Sequence, residues 1–254
     1  MTPKKLNSIF QISRLILRRD RIRLIIWTLS IPLILMLSAV AYDNMYPSPQ
    51  ERVNIISALD SPAMVSLMGP AYGVDNPTIG VMTAAQTILF AAVAVAIMNI
   101  LYMSRHTRKS EESGRLELVR ALPVGRHDSL LAAYVVSILM NLFMGLFTAL
   151  FMILPQIEGV PIWGSLTFGM SLTAIGLAFS GLTAFFAQIT ETSSGTTGFS
   201  FTALGIAFLL RAIGDIENPA ISMLSPLGWI TRVEPYYTNA YWPIAVSILT
   251  FIVF

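Results

Sequence analysis

Apolar and charged positions along this chain separate into long blocks instead of alternating. Strongly apolar stretches cover 24–42, 81–103, 129–154, 165–189 and 198–213, with a shorter one at 242–254, and all are uncharged except for Arg211 near the end of the fifth. An α-helix needs about 20 mostly apolar residues to cross the hydrocarbon of a bilayer, and most of these blocks approach or exceed that length. A strand of a membrane barrel would alternate over about ten residues. The run ILFAAVAVAIM at 88–98 shows no alternation. The pattern therefore predicts an all-α membrane protein with six helices. The last block supplies 13 residues, about 20 Å of helix. The expectation is an incomplete sixth helix at 242–254 and a chain that is part of a longer one.

Composition agrees with the blocks. Hydrophobic residues make up 55% of the chain and charged residues 12%, about half the usual charged share, and mean hydropathy is +0.69. The net charge of +2 says little, but the placement of the basic residues says more. Lys4, Lys5, Arg14, Arg18, Arg19, Arg21 and Arg23 precede the first block, and Arg105, Arg108, Lys109, Arg115, Arg120 and Arg126 lie between the second and third. The other side receives Arg52, Arg211 and Arg232. Positive residues collect on the cytoplasmic side, so the N-terminus is expected to be cytoplasmic and the protein a multi-pass one of the plasma membrane. With no cysteine there are no disulfides or thiolate sites, and two histidines are too few for a multi-histidine metal centre.

Two segments on the basic side have patterns of their own. In 1–23, Leu6, Ile9, Phe10, Ile16 and Leu17 recur at helical spacing while Arg14, Arg18 and Arg21 share another face. That reads as an amphipathic helix lying in the membrane interface; a plain basic flank is the simpler alternative. The loop 104–128 has dense mixed charge. Residues 111–122 read as a short helix with Leu116, Val119 and Leu122 as an apolar stripe, ended by Pro123. The stripe either meets a partner or rests on the membrane surface.

The run EESGRLELVRALPVGR at 111–126 resembles the first cytoplasmic loop of ABC-2 type permeases. RLILRRDRIR at 14–23 and GPAYGVD at 69–75 narrow the resemblance to polyketide-antibiotic (tetronasin-type) exporter permeases, of which this chain is similar to the N-terminal half. The resemblance implies a six-helix ABC-2 type transmembrane bundle over 24–254, with an N-terminal interfacial helix and a coupling helix within 104–128. Glu111, Glu112, Gly114, Leu116, Glu117, Val119 and Pro123 would then form or frame the contact with a dimeric ABC ATPase. It also implies a second six-span half, in the same longer chain or as a second copy, and a lipophilic, antibiotic-like cargo.

Nothing in the sequence supplies the energy for transport. There is no phosphate-cradling G-x-x-x-x-G-K-[ST] run, so no cofactor is expected in this chain, and ATP and magnesium belong to the partner. No catalytic residue and no metal ligand are assigned, and no nucleic-acid partner is expected. The spans carry no midplane carboxylate of the kind ion-coupled carriers keep. Asn99 and Asn141 stand in their place, and a hydrogen bond between helices or a contact with cargo are both open for Asn141. Arg211 is expected to snorkel from the fifth span to water, and His106 and His127, which flank the cytoplasmic loop, to have an interfacial or surface role and not a catalytic one. Ser165, Gly169, Gly176, Ser180 and Gly181 mark a close helix contact on the fourth span. The Met- and Phe-rich third span, including Met140, Phe143 and Met144, lines an apolar pathway or faces lipid. The expected function is a permease subunit of an ATP-driven exporter; the alternative is a non-transporting membrane scaffold or sensor that recruits a cytoplasmic partner.

Overall fold

A computed structural model describes residues 3–108 and 128–254. Among them are ten helices: α1 (Pro3–Met45), α2 (Pro49–Ala58), α3 (Pro62–Met68), α4 (Ile79–His106), α5 (Asp128–Ile153), α6 (Ile162–Ile189), α7 (Ser193–Glu217), α8 (Pro219–Ser222), α9 (Pro226–Thr231) and α10 (Trp242–Val253). Five of these, α1, α4, α5, α6 and α7, are long and apolar enough to cross a membrane, and α10 is a shorter apolar helix. No strand occurs among the described residues. Apart from α1, the observed spans lie within a few residues of the expected blocks and differ most at α7, which begins at Ser193 and runs to Glu217.

The first helix departs from expectation. No break separates the basic segment 1–23 from the first span; α1 is one rod of 43 residues, about 65 Å long. The sequence explains this, because no glycine or proline occurs between Lys4 and Ile31 to stop the helix. Pro32 lies inside it, where it removes one backbone donor.

The helices pack around α6, which touches α4, α5, α7, α9 and α10, while α1 lies along α5 and α4. In their most apolar windows α6 is 72% buried and α4 67%, against 28% for α1 and α7, so the latter two form the flanks. Small residues let the hub pack this closely. A Cβ at Gly145 of α5 would come within 2.5 Å of the Gly169 carbonyl oxygen, and a Cβ at Gly169 within 2.1 Å of the Gly145 oxygen. The two backbones therefore touch, as small-residue contacts between membrane helices permit.

One turn farther along the same seam, a polar cluster crosses the bundle. Asn99 and Asn141, both fully buried, donate to each other's side-chain oxygens at 3.0 and 2.8 Å. Ser180 donates to Asn99 Oδ1 at 2.7 Å, and Ser137 and Ser180 share a 2.6 Å bond. An unpaired amide in an apolar interior is costly, so the pair satisfies itself across three helices. Gly176 makes room for it: a Cβ there would lie 2.0 Å from Asn141 Oδ1. The Met/Phe stripe of the third span divides between two faces, with Met140, Met144 and Met152 buried and Phe143 exposed.

Short helices cover the end of the bundle opposite the N-terminus. The first of them, α2, starts at a complete capping box, Ser48 with Glu51, behind Pro49. Gly69 ends α3 at φ 101°, a left-handed turn that suits glycine.

Candidate functional site

At the N-terminal, basic end of the bundle, a cavity of about 720 Å³ opens between α1, α4 and α7. Its apolar wall includes Leu24, Trp27, Leu101 and Phe201, and Ser193 and Thr197 add hydroxyls. Asp20 of α1 stands at its edge, only 7% exposed. Its Oδ2 lies 2.8 Å from His106 Nε2 and its Oδ1 3.3 Å from Arg105 Nη2, both in the last turn of α4. The Tyr102 ring packs 4.7 Å from the imidazole. His106 is 6% exposed, so of the interfacial or surface role expected for it the surface one is excluded, and it is the buried partner of a carboxylate. Sequence reasoning passed over Asp20 altogether; its signal was a single acid inside RLILRRDRIR, where solvation alone offers no reason for one.

The predicted partner-contact residues Glu111, Glu112, Gly114, Leu116, Glu117, Val119 and Pro123 lie outside the described residues, as does His127. The structure does define the two ends of that loop. Before it, His106 and Arg105 hold Asp20, and Arg108 Nε donates to the Ala187 carbonyl at the end of α6. After it, Ser8 of α1 donates to Asp128, which opens α5 and is 3% exposed. Both ends of the loop are thus fastened to α1, at positions 8 and 20.

The opposite end of the bundle is closed by polar locks. Arg211 does not snorkel: it is fully buried. Its guanidinium donates to the Val65 and Ser66 carbonyls at 3.0 and 2.8 Å and pairs with Asp215 at 3.4 Å, over the Phe208 ring. Those carbonyls belong to the last turn of α3, where a cation meets the negative end of the helix dipole. The Asp215 side chain is also buried and approaches Arg232 at 3.5 Å. The expectation failed because the side chain faces inward under α3, which a hydropathy pattern does not reveal.

Nearby, Tyr236 enters a slot between α4 and α6. A Cβ at Gly80 or Gly164 would come within 2.8 and 2.2 Å of its ring. Its hydroxyl bonds with Ser165 Oγ at 3.1 Å, and its φ of 67° is held by a bond from its backbone N–H to Asn239. Burial pushes the Tyr236 phenol above its ordinary range. Burial does the same to the neighbouring Tyr72, with the Glu234 carboxylate adding to the effect. Both rings stay neutral at any physiological pH.

A helical bundle with five helices long and apolar enough to cross a membrane, a cavity at one end and buried polar contacts at the other has the build of a multi-pass membrane domain. The chain belongs to the ABC-2 family of transporter proteins, whose model matches residues 76–253. It is 37% identical over 240 residues to a multidrug efflux system permease protein of Mycobacterium tuberculosis, a match covering 93% of this chain and 42% of that relative. The chain thus spans less than half the length of the relative. The ABC-2 resemblance read from the loop sequence agrees with this.

Proposed function

We propose that the chain is the first six-span half of an export permease whose energy comes from a separate pair of ABC ATPase subunits holding ATP and magnesium. The observation that carries this reading is the fastening of both ends of the 109–127 loop to α1, beside a cavity bounded by α1, α4 and α7. A subunit docking on Glu111, Glu112, Gly114, Leu116, Glu117, Val119 and Pro123 would move His106 and Asp128. Through Asp20 and Ser8 it would also tilt α1 against α4, changing access to the cavity. The exposed apolar flanks of α1 and α7 support a second half placed against them, with lipid on the remainder.

The basic end faces the cytoplasm in this reading, as the arginine distribution favours, and the membrane is the plasma membrane. A lipophilic cargo suits the apolar and aromatic cavity wall, and the name of the mycobacterial relative points the same way. The antibiotic-like, tetronasin-type cargo suggested by the sequence motifs is the narrower form of the proposal. The test is co-expression with the ATPase. Leu116→Asp with Val119→Asp is expected to abolish co-purified ATPase and energy-dependent efflux of a lipophilic dye, while the permease keeps its elution profile. Undiminished ATPase recovery from that variant would sink the docking role.

A further inference from the structure

We infer that the N-terminal end of α1 carries a binding site for the headgroup of an acidic phospholipid. A second cavity, of about 710 Å³, abuts the first and is bordered by Arg18, Arg19, Arg21, Arg23 and, from α4, Arg105. Among the described residues Asp20 is the one carboxylate on its rim, and it turns toward Arg105 and His106. The four arginines of α1 are exposed, and no carboxylate among the described residues pairs with them. Like charges crowded into six residues of one helix repel one another, and a bound anion relieves that repulsion.

The position fits a lipid better than a soluble anion. From Arg18 to Arg23 the helix rises about 7.5 Å, close to the roughly 5–7 Å depth of one headgroup layer. Ile22 and Ile26, 66% and 57% exposed, line the same cavity. Trp27 stands beside them at the start of the uncharged run, where interfacial tryptophans collect. Arginines for a phosphodiester and exposed apolar side chains for acyl chains, lining one cavity, are the pair of groups that a phospholipid headgroup region needs. Guanidinium forks suit phosphate oxygens in particular. A diffuse basic flank would draw acidic lipid equally at any arginine; a site draws it at these.

Trp27 is a built-in reporter. The purified protein would be reconstituted in phosphatidylcholine nanodiscs, and tail-brominated phosphatidylglycerol or phosphatidylcholine titrated in. The quenching due to Trp27 is taken as the difference from Trp27→Phe. We expect saturable quenching that favours phosphatidylglycerol at about 150 mM salt, where loose surface attraction is screened. Arg19→Gln with Arg23→Gln should reduce that preference at least about fivefold, Arg19→Lys with Arg23→Lys should retain most of it, and Arg14→Gln, outside that cavity, should leave it intact. Arg21→Gln alone serves if the double variant does not fold, with a smaller loss. Equal quenching by the two lipids overturns the site, as does an Arg14→Gln loss matching that of the double variant. If about 50 mM inorganic phosphate removes the preference, the ligand is a soluble anion and the lipid assignment fails.

Discussion

Replacing Arg211 with methionine tests how the end of the bundle opposite the N-terminus is closed. The substitution keeps the unbranched apolar stem of the side chain and removes the guanidinium with its charge. Lost with it are two charge-assisted hydrogen bonds, to the Val65 and Ser66 carbonyls, each worth about 1.5–3 kcal/mol. Asp215, whose side chain is fully covered, keeps only Arg232 at 3.5 Å, and a buried charge deprived of a partner adds to the loss. Against this, Arg211 Nε has no hydrogen bond in the native protein, so part of the desolvation of the guanidinium is uncompensated and its removal is a gain. The balance is a loss of about 3–5 kcal/mol, or on the order of 10 °C in the unfolding temperature. Thermal unfolding in detergent, followed by tryptophan fluorescence, measures it. Arg211→Met combined with Asp215→Leu should unfold above Arg211→Met alone, because the orphaned carboxylate is gone. An Arg211→Met protein that unfolds within about 1 °C of the native one refutes the reasoning, and so does a double variant that costs the sum of the two single ones.

The central seam offers two more predictions. Asn99→Ala removes the reciprocal pair with Asn141 and the bond from Ser180. At about 0.6 kcal/mol for each such bond in a membrane bundle, plus a small cavity, the loss is about 2–4 kcal/mol, readable by the same unfolding assay. Gly145→Ala drives a Cβ to 2.1 Å from Thr173 Oγ1 and should sharply lower the folded yield, whereas Gly198→Ala, with open space around it, should not. Equal yields from the two would contradict the backbone contact.

The sequence showed the parts of this protein that depend on composition along one axis. Lengths of apolar runs located the spans, and arginine spacing marked one end as distinct. Glycines on the fourth span announced a close contact, though its other half, Gly145, lay unnoticed in a stretch read for methionine and phenylalanine. Asn141 proved to be a link between helices, one of the two readings its position allowed. What stayed hidden depends on which side of a helix a residue occupies once the bundle closes. Arg211 and His106 are ordinary near a span end until α3 and α1 cover them. The unbroken course of α1 was legible in principle, since nothing between Lys4 and Ile31 ends a helix, but the change from charged to apolar residues suggested a joint.

That unbroken course has a mechanical side. A stiff strut of about 65 Å turns a small rotation into a large excursion: 5° about one tip carries the other some 5–6 Å, roughly the rise of one helical turn. Two hinged segments would dissipate the same swing at their elbow. If the 109–127 loop receives a push as proposed, the contacts at Ser8 and Asp20 would pass it to this helix, and Pro32, where one backbone donor is missing, is the place along its length where the swing could be absorbed.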